Sequence, residues 1–201
     1  MHTHQKFPQP IGSPLEGGFY GGKIRIGMAI FAIVWAPKAD GEIVGKWLDS
    51  YTNVPGAASC FDSMANTKAM AEAGSAIAKQ ALAANIGGFT DWCIPARDVL
   101  ELGYRHLKPT TDETCCSFRD GDNPSSVPVG YPYTQAEPVK QTAVEAFQHG
   151  GPEAFEPVSY FASTQYSEYG AWLQYFDYGY QRGLDKSLSR RVRVVRLIQI
   201  A

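Results

Sequence analysis

Apolar and polar positions change rhythm several times along the chain. From Tyr20 the run Tyr-Gly-Gly-Lys-Ile-Arg-Ile-Gly-Met-Ala-Ile-Phe-Ala-Ile-Val-Trp first alternates and then becomes continuously apolar. That pattern predicts two short strands around Gly27, the second apolar on both faces and therefore central in a sheet. Residues 1–18 carry Pro8, Pro10, Pro14 and the Gly17-Gly18 pair without periodicity, and read as an extended arm of the kind that docks on a neighbour. Residues 37–45 read as a turn, and 47–58, with Asn53, Pro55 and Gly56, as loop. Over 66–85 the residues Met70, Ala73, Ile77, Ala81 and Leu82 recur at helical spacing, with Asn66 or Thr67 as cap and a stop before Gly87-Gly88. A second helix is predicted over 97–107: Asp98 and Glu101 suit its positive end, and Val99, Leu100 and Leu102 face inward. Residues 108–134 have no sustained period, and a loop of that length is usually functional or covers something. A third helix is expected over 138–148, stopped by His149-Gly150-Gly151. Residues 191–200 alternate Arg with Val and then turn apolar, as suits a strand returning beside the first one. The division is an arm, 1–18, and one α+β domain, 19–201, with two or three helices.

Composition narrows the function classes. The 201 residues are 44% hydrophobic, enough for a real core, and carry a net charge of -2. With a pI near 6.1, nucleic acid is not the expected partner. The longest apolar run, 26–36, is too short to cross a bilayer, and the N-terminus has no apolar signal region, so cytoplasmic synthesis without membrane insertion is expected. Cys60, Cys93, Cys115 and Cys116 have no C-x-x-C spacing and read as reduced, partly buried thiols.

Little in the chain spells out chemistry. His2-x-His4 has metal-ligand spacing at a terminus, whereas His106 and His149 sit near expected helix C-termini and suit the dipole there. Asp120, Asp122 and Asn123 offer hard oxygens, but the twelve-residue calcium pattern is missing and a turn accounts for the same letters. No nucleophile–base pairing or acid–base constellation stands out, so neither catalysis nor a cofactor is expected. Lys186, Arg190, Arg191, Arg193 and Arg196 form a local basic cluster that could grip an anionic partner such as a sulfated or phosphorylated glycan, the favoured reading being a solvent face paired with carboxylates. Residues 160–196 hold six of the eleven tyrosines, among Ser, Gly, Asp and Gln. That usage fits an antibody-like contact surface and equally an aromatic core.

At Ile86-Gly-Gly-Phe-Thr-Asp-Trp-Cys-Ile-Pro-Ala-Arg-Asp-Val-Leu-Glu-Leu, at Tyr160-Phe-Ala-Ser-Thr-Gln, at Ala171-Trp172, Phe176 and Gly179, and at the closing Val192-Arg-Val-Val-Arg, the chain resembles one family. This is the C-terminal domain family of collagen-like adhesins, which has phage-encoded members. The family is similar in fold to formylglycine-generating enzymes and to retroelement-diversified phage receptor-binding proteins. The opening of phage-encoded members is similar to 16–45 here, so the resemblance covers most of the chain beyond the arm. It implies a C-type-lectin-like fold, with a small twisted antiparallel sheet joining the termini and long loops forming the binding face. The family has Trp and Ser where this chain has Phe161 and Ala162, and a capping Ser or Thr where it has Ala96. Its enzymatic relatives depend on C-terminal cysteines, and none follows Cys116 here, so no catalysis is carried over.

The resemblance implies a non-enzymatic phage tail protein, of tip, baseplate or fibre, that binds a bacterial surface receptor, protein or glycan. Trp172 and Phe176 are expected in the core. The expected receptor-binding residues are Tyr166, Glu168, Tyr169, Leu173, Tyr175, Asp177, Tyr178, Tyr180, Gln181, Arg182 and Asp185. Other tail proteins, reached through 1–18, and a homo-oligomer such as a trimer are the further partners. The alternative is a structural tail-assembly protein whose tyrosine face is a subunit interface. A formylglycine-generating type of enzyme stands last.

Overall fold

The computed structural model describes residues 9–117 and 119–201. The chain is α+β, with four α-helices and nine strands among those residues. β1 (Pro14–Leu15), β2 (Gly18–Ile26), β3 (Ala29–Trp35) and β9 (Val195–Gln199) form one antiparallel sheet in the order β1-β2-β3-β9. β4 (Glu42–Lys46), β5 (Ser159–Gln165), β6 (Gly170–Tyr175), β7 (Gln181–Asp185) and β8 (Ser189–Arg193) form the other, in the order β4-β8-β5-β6-β7. The first and last strands of the chain thus share a sheet, and β3 is central in it, as its two-faced apolar run requires. The expected C-terminal strand is two: the chain changes sheets at Val194, whose carbonyl accepts from Ala36 N, and β9 then pairs with β3 instead of β2.

The described part of the expected arm belongs to the domain. β1 pairs with β2, Leu15 is in the core, and the carbonyl of Glu16 accepts from Arg196 Nη1 at 2.8 Å. Residues 1–8, with His2 and His4, lie outside the described residues.

Helix positions follow from capping. The segment 66–85 makes two helices, α2 (Ser63–Glu72) and α3 (Ala76–Leu82), after α1, one turn at Lys38–Gly41. Gly74 at φ +105 breaks the run, and Ser75 caps the second helix by accepting from Ala78 N. Asp62 caps the first, while Asn66 is buried and satisfies Ser59 through both amide atoms. α4 (Arg97–Leu107) starts at Ala96 without a side-chain cap. Neighbours substitute for it: Thr164 Oγ1 accepts from Arg97 N at 2.9 Å, and Ser63 Oγ from Ala96 N at 2.8 Å. The third helix expected over 138–148 is a single 3-10 turn, Glu145–Phe147. The backbone before it serves residues 108–114 instead: Val139 O accepts from Lys108 Nζ and Thr114 Oγ1, and Thr142 N donates to Lys108 O.

Apolar side chains of the central strands alternate between two cores. Ala32, Val34, Phe161, Ala171, Leu173 and Val192 enter the one that also holds Met70 and Ile77 of α2 and α3. Ile33, Trp35, Tyr160, Ala162 and Phe176 enter the one with Val99, Leu100 and Tyr104 of α4. With both faces of the sheets covered, strand alternation sorts one core from another and not core from solvent.

The long loop covers an edge. Beyond β1 the outer side of β2 would be bare, and there Arg25 N donates to Ser125 O and Val127 N to Lys23 O. Two buried carboxylates on α4 hold this cover. Glu101 accepts from Tyr133 Oη and Asn123 Nδ2 at 2.6 Å, and Asp98 accepts from Ser125 Oγ at 2.7 Å and from Arg97 at 3.1 Å.

Burial pushes the Asp98 carboxyl up to about 6, against the pull of Ser125 and Arg97. With the folded pKa above the unfolded one, its stabilising contribution is fully present below pH ~4 and is lost as pH rises through about 6. A shift from 3.8 to about 6 corresponds to at most ~3 kcal/mol. Asp98→Asn should therefore gain stability relative to wild type by up to ~3 kcal/mol between pH 4 and 7. Urea unfolding at stepped pH measures this, and parallel curves for the two proteins would refute it.

Candidate recognition site

Among the expected contact residues, the structure separates two groups at opposite ends of the β6–β7 ladder. Gly170 faces Asp185 at one end and Gln174 faces Gln181 at the other, four residues or roughly 13 Å away.

The first group gathers Tyr166, Glu168, Tyr169 and Asp185. Tyr166 and Tyr169 are 58% and 59% exposed, and they line a shallow cleft of about 460 Å³ together with Tyr51 and Asp185. Tyr51, from the loop before α2, is 53% exposed. Its hydroxyl donates to Asp185 Oδ2 at 2.9 Å, and its ring meets that of Tyr169 with centroids 5.6 Å apart and planes inclined at 59°. Tyr166 lies against Gly183, where a Cβ would come within 2.4 Å of the ring, and its edge meets Trp172 at 5.0 Å. Trp172 is in turn covered by the guanidinium of Arg97 at 4.9 Å. These rings are set by their neighbours before any ligand arrives.

The second group gathers Tyr175, Asp177, Tyr178, Tyr180, Gln181 and Arg182. Much of it is engaged internally. Arg182 stacks on Tyr175 and Tyr180 at 5.1 and 5.9 Å and donates to the Tyr175 hydroxyl. Gln181 N donates to Asp120 Oδ1, and Gln181 Oε1 accepts from Arg97. Cys115 Sγ donates to Tyr180 Oη at 2.8 Å. Tyr178, 50% exposed, forms one wall of a groove of about 940 Å³ between residues 111–116 and 135–141.

Several expectations are corrected. Leu173 is not displayed: it is 2% exposed and faces Phe161 in the first core. It does lie opposite Trp172 and Phe176, but both sides of β6 are covered. Trp172 is only half-buried, at the rim of the second core. Gln174 is fully buried there, with Nε2 donating to Tyr175 O and Oε1 without a partner. The basic cluster is largely internal. Arg193, Arg196 and Lys186 are buried, and Glu153, Asp91 and Glu42 pair with Arg193, Arg196 and Arg191. His106 uses Nδ1 to donate to Gly21 O at 2.8 Å and does not cap its helix, and His149 is exposed after the 3-10 turn. The four thiols are free. The Asp120–Asn123 oxygens do not converge: Asp120 accepts from Ser117 and Gln181 N, Asp122 from Arg119, and Asn123 Oδ1 from Ser126 N. Among the described residues no group of three or more His, Cys, Asp or Glu could hold a metal ion.

Sequence reasoning missed Tyr51. It sits 134 positions from Asp185, and its only local signal was an aromatic residue in a Ser/Thr/Asn loop.

Comparisons of the chain with protein-family models, curated proteins and solved structures return no match. No helix among the described residues is long and apolar enough to cross a membrane.

Proposed function

We propose that this chain is a non-enzymatic recognition domain of a tailed-phage virion, placed at the tail tip, baseplate or fibre, with a C-type-lectin-like fold. It holds a bacterial surface receptor through its tyrosine-rich edge. The observation that carries this reading is the cleft of Tyr51, Tyr166 and Tyr169: three largely exposed rings, fixed by Asp185, Gly183 and Trp172 on a scaffold buried on both faces. Stiff aromatic contacts with little entropy to lose suit a recognition surface. The phage setting rests on the family resemblance of 86–102 and of the C-terminal motifs. One such cleft binds weakly, and a homo-oligomer such as a trimer would supply avidity.

The labelled protein should adsorb to cells of the phage's host. The triple variant Tyr51→Ala, Tyr166→Ala, Tyr169→Ala should lose at least ~10-fold in adsorption while keeping its melting temperature within a few degrees. Unchanged adsorption would sink the reading. The alternative is a structural tail-assembly protein whose tyrosine-rich face, with Tyr166, Tyr169 and Tyr178 half or more exposed, is buried between subunits. In an assembled particle this alternative has residues 166–185 covered, whereas receptor binding needs them outward.

A further inference from the structure

We infer that the Tyr51–Tyr166–Tyr169 cleft accepts a positively charged alkylammonium group, such as the quaternary ammonium of choline or a methylated amine on a cell-surface polymer. The inference rests on the recognition reading above and names the chemistry of its ligand.

Three observations point to a cation. The first is ring geometry. Tyr51 and Tyr169, with centroids 5.6 Å apart and planes inclined at 59°, line one cleft together with Tyr166, so three electron-rich rings border the same space. Ring faces attract an onium ion electrostatically, and more strongly where water is excluded.

The second is charge. Asp185 lines the cleft and Glu168 flanks it, next to Tyr169, and neither has an ion-pair partner within 4 Å among the described residues. Lys186, the adjoining cation, is fully buried and gives its ammonium to Thr52 O and Gln165 Oε1 below Trp47. Among the described residues no Lys or Arg lines the cleft, so an anionic ligand would meet the charge of Asp185 and a cation would find that carboxylate without a counter-ion, whereas Glu168 at the flank accepts from the Tyr169 hydroxyl and already feels the charge of Lys186.

The third is remaining capacity. Among the described residues, Asp185 Oδ1 accepts from Ser187 N and Oγ, and Oδ2 accepts from Tyr51 Oη alone. Carboxylates have about four acceptor positions, so Oδ2 keeps one for a ligand N–H or for the field of a quaternary head. The bond from Tyr51 ties one ring of the cleft to the same carboxylate that supplies the charge. At about 460 Å³ the cleft is large enough for a small onium head and open enough for the polymer that bears it.

The test compares choline with its uncharged isostere 3,3-dimethyl-1-butanol, followed by amide chemical shifts at Gly170, Gly183 and Asp185 in the full chain. Choline should bind in the millimolar range, and the isostere about tenfold more weakly or not at all. Tyr169→Ala and Asp185→Asn should each weaken choline several-fold with the rest of the spectrum preserved. Gly183→Ala, which pushes the Tyr166 ring away, should do so as well. Tyr51→Phe keeps the ring and should lose less than Tyr51→Ala. Equal affinity for choline and the isostere, no shift with either up to solubility, or shifts with a neutral hexose instead would each overturn the inference. Adsorption to host cells, measured separately on the same protein, then says whether receptor binding stands without it.

Discussion

Replacing Arg193 with methionine should give the largest loss of stability of any single change in β8, about 3–5 kcal/mol. The urea midpoint should fall by roughly 1–2 M. The guanidinium is completely buried and ties three segments together: Nε donates to Ala36 O at 2.8 Å, Nη1 to Glu153 O at 2.6 Å and Nη2 to the Glu153 carboxylate at 2.5 Å. It also stacks on Phe147 and Phe155, at 5.3 and 4.9 Å. Burial lowers its pKa, while Glu153 pulls the other way and keeps the charge favourable. Methionine fills most of the volume, so the loss measures the stranded acceptors and the unpaired carboxylate more than a cavity. Adding Glu153→Gln should recover part of it, because the stranded charge is then gone, although Glu153 also accepts from Lys38 N. A fall below ~1 kcal/mol for Arg193→Met would show that the segment 149–156 holds by packing alone.

Arg193 also shows where sequence reading stops. Arg-Val alternation correctly marked a strand, yet assigned the arginines to solvent, because nothing local says that a loop 40 positions away will place Glu153 over one of them. The same limit applies to Leu173 and Trp172. Their alternation was legible, and they do face opposite ways, but Leu173 enters a core that it shares with Trp47, Met70 and Ile77, roughly 100 residues upstream, and nothing near it in sequence says so. Legible features were local: the β2–β3 hairpin around Gly27, α4 with its boundaries, and the long loop. The helix break at Gly74-Ser75 was legible too, since a glycine followed by a capping serine is a stop and a start, but the alanine-rich periodicity masked it. For the site, a tyrosine-rich composition marked the region. It could not divide the tyrosines that bind each other and Arg182 from those that border open space, and it could not bring in Tyr51.

The second large effect is expected at Glu101. Its carboxylate is fully buried and accepts from Arg105 Nε at 2.8 Å as well as from Tyr133 and Asn123. Arg105 extends the connection to Gly121 O and Tyr131 O. Glu101→Leu would strand the buried Tyr133 hydroxyl and one amide hydrogen of Asn123 and leave the partly exposed Arg105 without its carboxylate, at a cost of about 3–5 kcal/mol. Glu101→Gln should cost less: Oε1 can still accept from Tyr133 and Arg105, but its amide NH₂ then meets the amide donor of Asn123, and one bond is lost. Beyond the lower midpoint, the leucine variant should expose the loop itself. Chymotrypsin needs Tyr133, now 5% exposed, whereas the neighbouring Tyr131 is followed by proline and resists cleavage. Cleavage after Tyr133 under native conditions should accelerate by at least ~10-fold in Glu101→Leu, and less in Glu101→Gln. If the cut rate instead follows global stability equally in both variants, Glu101 stabilises the whole domain and does not specifically moor the loop that covers β2. Were the loop alone released, the binding proposed for the Tyr51–Tyr169 cleft should survive, because the neighbours that set its rings are Asp185, Gly183 and Trp172. That separates the loop's structural role from the recognition proposed for the β6–β7 edge.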